Sequence, residues 1–259
     1  MFSTMSGPLK LARAMAIATL LLLAAGCAAT PGRTLNDDPW EKMNRGIYKF
    51  NDTLDRAALR PVAKGYKAIA PQWVRSGVGN FFANITYPVT IVNQFLQGNG
   101  RLGLRDTGRF LVNSTIGVAG LVDVATRMGL EANREDFGQT LAKWGVGSGP
   151  YITLPFFGPS TLRDAPSRIV DYFTQPLSYA DMSWESELGI RAIGIVHDRA
   201  DLLSIDQTLR NAFDPYAFMR DAWIQQREFA IFDGNPPPEV LEEEEPMDED
   251  APTETAPNK

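Results

Sequence analysis

The sequence predicts an all-α domain with little β-strand, and three observations support this. Apolar residues recur at spacings of three and four over long stretches, the period of a helix with one apolar face. Helix-start residues such as aspartate, serine and threonine precede several of these stretches. Many of the 22 glycines and 18 prolines fall between them, dividing the 259-residue chain into short helical segments.

The N-terminal residues predict an export signal. Lys10 and Arg13 precede a short apolar run at 14–23, and the small residues Ala24–Gly26 follow it. The run is too short to span about 30 Å of hydrocarbon as a helix. The single cysteine, Cys27, comes directly after the small residues. The alternative is an ordinary signal peptide followed by a cysteine without a role.

The first helix of the mature chain is predicted to begin at Asp38. Aspartate is a favoured N-cap, Pro39 suits the first helical position, and Glu41 completes a capping-box-like pair. An apolar stripe at helical spacing follows, formed by Trp40, Met43, Ile47, Phe50 and Leu54. Arg60 and Pro61 are expected to end this helix, because the residue before a proline avoids the α conformation.

Shorter pieces are expected between residues 61 and 157. Prolines and glycines break the pattern, with a flexible stretch at 76–79 and a helix–helix turn at 98–103. The weakly polar segment 110–122 is too short and too polar for a membrane-spanning helix. It either lies edge-on in a bilayer or packs inside a bundle. Residues 151–157 (YITLPFF) are expected to be an exposed apolar segment.

Helix signals are clearer in the C-terminal part of the chain. Thr161–Asp164 matches a capping box, and the region from Ser183 to about Leu209 predicts one long amphipathic helix. Asp214 is expected to cap a last helix that begins at Pro215. Three prolines at 236–238 should end the fold.

Charge is concentrated at the two ends of the chain. The net charge is −6, yet residues 236–259 carry eight net negative charges, and residues 27–235 are formally neutral. A nucleic-acid-binding protein would normally have a basic excess, so that class is disfavoured. The chain is thus divided into a signal peptide (1–26), a tether (27–37), a helical domain (38–235) and a disordered acidic tail (236–259).

No enzyme, cofactor or metal motif meets its structural requirements. The GxGxxG match at 98–103 lacks the preceding strand that a dinucleotide site needs. Ser148 lacks the spacing of a nucleophile elbow, and His197, the one histidine, is the only base available to a serine hydrolase. We expect His197 to be a partly exposed helix residue. One cysteine excludes a Cys-based zinc cluster.

Three carboxylates, Asp136, Asp164 and Asp171, could form an acid–base set. The interpretation that we favour makes them helix caps and ion-pair partners of nearby arginines. Those arginines are Arg134, Arg163 and Arg168.

Several stretches, in order over residues 38–225, resemble the MlaA/VacJ family of outer-membrane lipoproteins. They are DPWEKMNRGIYKFND (38–52), RPVAKGYKAIAP (60–71), GNFFANITYPVTIVNQFLQG (79–98), GRFLVNSTIGVAGLVDVA (108–125), EDFGQTLAKWGVGSGPYITLPFFGPSTLRD (135–164) and DPYAFMRDAW (214–223). The stretch 135–164 is the most specific. The sequence LLLAAGC resembles the lipobox of the same proteins, although Ala24 stands where leucine is usual. The acidic tail is not a family feature.

The resemblance implies a ring-shaped bundle of short amphipathic helices, embedded in the outer membrane around a central amphipathic channel. Cys27 would carry the acyl chains that anchor it, facing the periplasm. The ring would lie beside a trimeric porin and collect phospholipids misplaced in the outer leaflet. It would pass them to a periplasmic lipid carrier of the MlaC type. This transfer would maintain the lipid asymmetry of the outer membrane and would need neither a cofactor nor a chemical step. The alternatives are a structural or adaptor lipoprotein without a channel, and a phospholipase.

Two short segments supply the candidate channel or gate residues. These residues are Asn80, Phe81, Phe82, Asn113 and Ser114. Adjacent phenylalanines on a helix point about 100° apart, so one can pack inside the ring while the other faces lipid. The alternative is that both are core residues. Asn113 and Ser114 are polar groups suited to a headgroup path.

Overall fold

A computed structural model describes residues 38–237, and helices dominate this part of the chain. The α-helices are α1 (Glu41–Leu54), α2 (Arg60–Ile69), α3 (Gln72–Leu96), α4 (Gly100–Thr115), α5 (Val124–Arg127), α6 (Phe137–Lys143), α7 (Asp164–Thr174), α8 (Trp184–Asp201), α9 (Asp206–Asn211) and α10 (Pro215–Ile231). The strands β1 (Tyr151–Leu154) and β2 (Gly158–Thr161) form an antiparallel hairpin with Tyr151 opposite Thr161. The predicted all-α class with little strand is confirmed.

Two predicted helix starts are confirmed by their capping hydrogen bonds, whereas the start predicted at Thr161 is shifted to Asp164, whose amide donates to Thr161 Oγ1 at 3.2 Å. At α8, the Ser186 amide donates to Ser183 Oγ at 3.4 Å. At α10, the amides of Tyr216 and Ala217 both donate to Asp214 Oδ1, at 3.0 and 3.2 Å. Each cap satisfies backbone donors that have no partner within the first turn of a helix.

Arg60 and Pro61 do not end the first helix, contrary to the sequence prediction. A π-helical turn, Asp55–Leu59, joins α1 to α2, and Pro61 is the second residue of α2. The shifted hydrogen-bond spacing of a π turn accommodates a residue that has no N–H and carries a bulky ring.

Helix α3 also runs through its predicted breaks, since residues 76–79 and Pro88 all lie inside it. It packs along α4 and also contacts α6, α7 and α8, which makes it the central helix of the fold. The expected flexible stretch is therefore wrong. Gly79 is instead a close-contact position, because a Cβ there would lie 2.6 Å from His197 Nε2.

The predicted helix from Ser183 to about Leu209 is divided. A 3-10 turn, Leu202–Ser204, separates α8 from α9. Asp206 at the start of α9 receives Arg199 Nη2 at 2.8 Å and Arg60 Nε at 2.7 Å. These ion pairs hold the start of α9 against α2 and α8, so the chain turns instead of extending.

The polarity of the fold is inverted relative to that of a soluble helical protein. Within residues 38–237, polar side chains make up more of the buried positions than apolar ones do. In α1, Asn44 is fully buried, whereas Met43 is 51% exposed. In α3, the buried side chains include Asn84, Asn93 and Gln94. The predicted apolar stripes exist, but they face outward.

A small apolar core lies at one place in the fold. Tyr151 of β1 packs with Tyr216 and Ile224 of α10, and Tyr48 and Trp223 pack against this cluster. The segment 151–157 is therefore only partly exposed, as Tyr151 is buried while the phenylalanines at its end are exposed. Across residues 38–237, no helix has the length and apolarity required to cross a membrane.

Candidate functional site

A cavity of about 860 Å³ opens between α3, α4, α7 and α8. The middle of α3 (residues 79–90) forms one wall and α8 faces it. The segment 132–136 and Gln139 of α6 form a further part of the lining. The lining combines charged and amide side chains with apolar ones such as Phe82, Val89 and Leu177, and the outer helix faces carry exposed aliphatic and aromatic residues. Large apolar surfaces outside and polar groups inside are characteristic of a body surrounded by lipid around an aqueous path.

Two carboxyl groups of the lining have pKa values above the usual range for carboxyl groups. Burial raises the pKa of Glu135 to about 7, although a hydrogen bond from Gln97 partly opposes the shift. Burial and the nearby charge of Asp136 raise the pKa of Asp171 to about 7 as well. Neither carboxylate has a cationic side chain within 4.0 Å in the described part of the chain.

A third carboxylate beside them has strong partners. Asp136 caps α6 through the Gln139 amide at 2.9 Å and accepts Arg227 Nη1 and Nη2 at 2.6 and 2.8 Å. Arg227 Nε also donates to Asp164 at 2.8 Å. Although burial opposes its ionisation, these donors keep the pKa of Asp136 below its usual value.

Arg109 and Asp123 form an ion pair at 2.7 Å on another part of the lining. Asn113 donates to Asp123 Oδ1 at 3.1 Å, and its own Oδ1 accepts the amides of Val124 and Ala125 at 3.0 and 2.9 Å. Burial opposes the charge of Asp123, but hydrogen bonds from Thr126, Arg109 and Asn113 lower its pKa to about 2. This network fixes the loop that follows α4.

His197 lies on the α8 side of the cavity and is only 6% exposed, so the expectation of a partly exposed histidine is wrong. Its Nδ1 lies 3.3 Å from the Tyr66 hydroxyl, and its Nε2 lies 3.6 Å from Asp201. Gly79 of α3 allows this burial, because it leaves room for the imidazole ring. Within residues 38–237, no cluster of three or more potential metal ligands occurs.

The three lining arginines differ in their partners. Arg109 binds Asp123, and Arg191 binds Glu187 at 2.9 Å and lies over the Tyr172 ring. The Arg134 side chain has no hydrogen bond or ion pair to the residues that the structure describes. Burial raises the pKa of Asp198 of α8, and the nearby charge of Arg134 partly opposes that shift.

The predicted channel or gate residues lie close to one another, around the loop that follows α4. Asn80 Nδ2 donates to the Leu121 carbonyl at 3.2 Å, and Asn84 Nδ2 donates to Ser114 Oγ at 2.9 Å. Asn113 anchors the far end of the same loop through Asp123. The loop contains two non-glycine residues in the left-handed region, Val118 and Ala119, at φ of 53° and 55°. Their steric cost has to be offset by contacts of this kind.

Phe81 and Phe82 are both half-buried, and of the two Phe82 belongs to the cavity lining. Their rings pack edge to face, with centroids 5.4 Å apart. Phe82 lines the cavity and approaches Gly194 of α8, where a Cβ would lie 3.1 Å from its ring. Cys27, the predicted lipidation site, lies outside the described residues.

Sequence reasoning missed several residues of the cavity, and of its three candidate arginine partners Arg163 alone forms an ion pair with one of the acidic residues in the described part of the chain. Asp136 and Asp164 both bind Arg227 of α10, and Arg163 also binds Asp164, at 2.8 Å. Asp171 has no ion pair in the described ranges. Glu135 and Arg134 were not predicted to line a channel. In the sequence, Arg134 and Glu135 stand out only as polar residues at the start of the segment REDFGQTL. This polarity does not indicate which part of the fold their side chains face.

Comparison with known proteins gives concordant results. The profile of the MlaA lipoprotein family matches residues 36–230. A Rickettsia bellii protein is 41% identical over 196 residues, which cover 75% of this chain and 76% of that protein. The Escherichia coli K12 protein named intermembrane phospholipid transport system lipoprotein MlaA is 38% identical over 234 residues, covering 87% and 90%. A solved structure, described as the structural basis for maintenance of bacterial outer membrane lipid asymmetry, matches with a TM-score of 0.67 and 36% identity, covering 77% of this chain and 100% of that chain.

Proposed function

The chain belongs to the MlaA lipoprotein family, and we propose that it removes misplaced phospholipids from the outer leaflet for intermembrane transport. Removal of these lipids maintains the lipid asymmetry of the outer membrane. The named function of the Escherichia coli relative and the subject of the matching solved structure support this proposal. The matched region, 36–230, contains nearly all of the described helices.

The observation that carries the proposal is a cavity that holds charged and amide side chains beside apolar ones, inside an apolar exterior. A phospholipid has a charged or zwitterionic head and apolar tails, so its passage needs a polar path beside an apolar surface. The cavity supplies charged and amide side chains for the head, and the outward stripes of α1, α3 and α8 supply the apolar surface. No covalent chemistry is required of the chain for this passage.

The location and partners are inferred as follows. Acyl chains on Cys27 anchor the protein in the outer membrane, on the side that faces the periplasm. The attachment is stable because several acyl chains hold a protein in a membrane where a single chain does not. The apolar exterior lies in the hydrocarbon beside a trimeric porin. A periplasmic lipid carrier of the MlaC type receives the phospholipid. The formally neutral body supports membrane embedding, as it adds no net charge to the hydrocarbon.

A plug variant tests passage through the cavity. Ala83 lines the cavity, and Ala83→Trp should fill part of it, whereas Leu104→Trp places the same ring on the exposed face of α4. We expect surface phospholipid, assayed by digestion of intact cells with added phospholipase, to rise only with Ala83→Trp at equal protein levels. No rise would support the adaptor alternative. Release of fatty acid from vesicles by the purified protein would instead indicate a phospholipase.

A further inference from the structure

The tip of the β1–β2 hairpin carries two aromatic side chains that the rest of the fold leaves uncovered. Leu154 of β1 pairs with Gly158 of β2, so the tip consists of residues 155–157. Phe156 and Phe157 are each 71% exposed. Adjacent apolar side chains with this exposure contribute little to the core, and an exposed apolar patch is typical of an interaction site.

The backbone of the hairpin tip is fixed from two sides, although its rings are free of the core. Asn51 of α1 donates Nδ2 to the Leu154 carbonyl at 2.9 Å and accepts the Phe156 amide on Oδ1 at 2.8 Å. Arg168 of α7 donates to the Phe157 carbonyl at 3.3 Å and to the carbonyl two residues further on at 2.8 Å. Phe156 has a φ of 66°, a left-handed conformation that is costly for a residue with a side chain. These hydrogen bonds offset that cost and set the position from which the two rings project.

The hairpin tip lies between the cavity and the apolar outer surface. Phe157 belongs to the cavity lining and is largely exposed, which places it at the cavity opening. Phe156 packs edge to face against Phe50 of α1, with ring centroids 5.3 Å apart. Phe50 is exposed, as are Met43 and Leu54 of the same apolar stripe. An apolar path therefore leads from the cavity opening across the hairpin tip to the outer stripe of α1.

We propose that the hairpin tip binds the acyl tails of a phospholipid whose head lies in the cavity. This inference rests on the proposed function and specifies where the tails of the transported lipid are held. The tip stands at a boundary, because the cavity contains charged and amide side chains while the tip and the stripe of α1 are apolar. A molecule with a polar head and apolar tails spans such a boundary. Phenylalanine offers the tails a large contact area without a polar atom that needs water.

Photocrosslinking tests whether the tip contacts the transported lipid or only the surrounding bilayer. In cells whose phospholipids carry radioactive phosphate, p-benzoylphenylalanine replaces Phe157 in the full-length protein. In a reference protein it replaces Leu104, which is exposed on α4 and lies outside the cavity lining. Phospholipid captured on irradiation is counted with and without the plug Ala83→Trp. We expect the plug to abolish most of the capture at position 157 and to leave capture at position 104 unchanged, because only a lipid at the tip has its head in the cavity.

A polar substitution tests whether this contact matters for transport. Phe157→Asn should slow the clearance of surface phospholipid about tenfold, since it removes the burial of one aromatic ring against the tails. The fold should be kept, because the ring is exposed and Arg168 binds the backbone of the tip. Phe157→Leu retains an apolar side chain and should clear phospholipid at nearly the wild-type rate. Phe213→Asn is the matched control and should change nothing, because Phe213 is fully exposed before α10 and lies outside the cavity lining.

Three results would overturn the acyl-tail inference while leaving the channel in place. The first is capture of phospholipid at position 157 that does not depend on the plug, since it would report contact with the bilayer alone. The second is capture of a protein there in place of lipid. The third is normal clearance by Phe157→Asn at wild-type protein levels. Failure of Ala83→Trp to raise surface phospholipid would instead overturn the proposed function itself.

Discussion

Arg227 of α10 binds Asp136 at the start of α6 through two hydrogen bonds of 2.6 and 2.8 Å. A third bond from the same guanidinium reaches Asp164 of α7 at 2.8 Å. The arginine thus joins three helices beside the cavity. It also pairs with two of the acidic groups there, whereas Glu135 and Asp171 have no cationic side chain within 4.0 Å among the described residues and are affected by Lys143 and Arg227 only at longer range.

Removal of this arginine should destabilise the fold strongly. Arg227→Gln leaves Asp136 and the buried Asp164 without their shared cation, and we expect a loss of about 3 kcal/mol in the free energy of unfolding. Denaturant unfolding of the purified protein measures it. Arg210→Gln is the matched control, because its exposed guanidinium lies 3.7 Å from Asp206. That control should change stability by about 0.5 kcal/mol or less. Equal effects of the two variants would contradict the structural role of Arg227.

Stability should fall as the pH rises through neutrality. The pKa values of Glu135 and Asp171 are raised to about 7 in the folded protein, so between about pH 4 and pH 7 it binds more protons than the unfolded chain. Their contribution is complete below the ordinary carboxyl pKa and is lost as the pH rises through about 7. We expect the melting temperature of wild type to decrease over this range. The decrease in melting temperature should be smaller for the double variant Glu135→Gln/Asp171→Asn than for wild type. For the control Glu131→Gln it should equal that of wild type.

The contact between α3 and α8 depends on a glycine. A Cβ on Gly79 would lie 2.6 Å from His197 Nε2, so Gly79→Ala should displace the imidazole or separate the helices and cost about 1–3 kcal/mol. Gly46 in α1 has no atom within 4 Å of such a Cβ, so Gly46→Ala should stabilise the protein by up to about 1 kcal/mol. Thermal unfolding of the two variants compares them. Stabilisation by both would show that α3 and α8 do not touch at Gly79.

These contacts show what the sequence can and cannot predict. The spacing of Trp40, Met43, Phe50 and Leu54 predicts a helix with one apolar face, and that helix exists. The spacing does not state whether that face packs inward or contacts lipid, because the pattern is the same in both cases. Here Asn44 is buried and the stripe faces outward. The helix length was also underestimated at Pro61, where a π turn overrides the local proline rule.

The cavity residues were harder to predict because they come from distant parts of the chain. Asn80 is predicted from its polarity and its neighbouring aromatics, and it lines the cavity and bonds to the loop after α4. Ser114 is predicted from its polarity alone, and it binds Asn84 at the end of α4 without being part of the cavity lining. Glu135, Asp171 and Gln139 become part of one cavity lining only when α6 and α7 pack against α3. No local pattern encodes that packing, so these lining residues can be identified only in three dimensions.

Lipid attachment at Cys27 is a separate prediction. Cys27→Ala should block acylation and release the protein from the membrane fraction, because the chain has no other cysteine. Metabolic labelling with a fatty acid should label wild type and not the variant. Ala24→Leu, which places the usual lipobox residue at that position, should retain the label. Equal labelling of wild type and Cys27→Ala would contradict the lipobox interpretation.

The last prediction concerns closure of the channel by α3. Asn80 ties α3 to the Leu121 carbonyl, and the polar stripe that begins at Asn84 follows within one turn. Deletion of Asn80 and Phe81 should rotate one part of α3 relative to the other by about 200°. That rotation turns the polar stripe away from the cavity while leaving the helix intact, so we expect a folded but open protein. Cells that express it beside wild type should gain surface phospholipid and become sensitive to detergent. Asn80→Ala, which removes only the bond to Leu121, should produce a weaker effect of the same sign. A recessive phenotype with degradation of the deletion protein would mean that Asn80 and Phe81 serve only in packing.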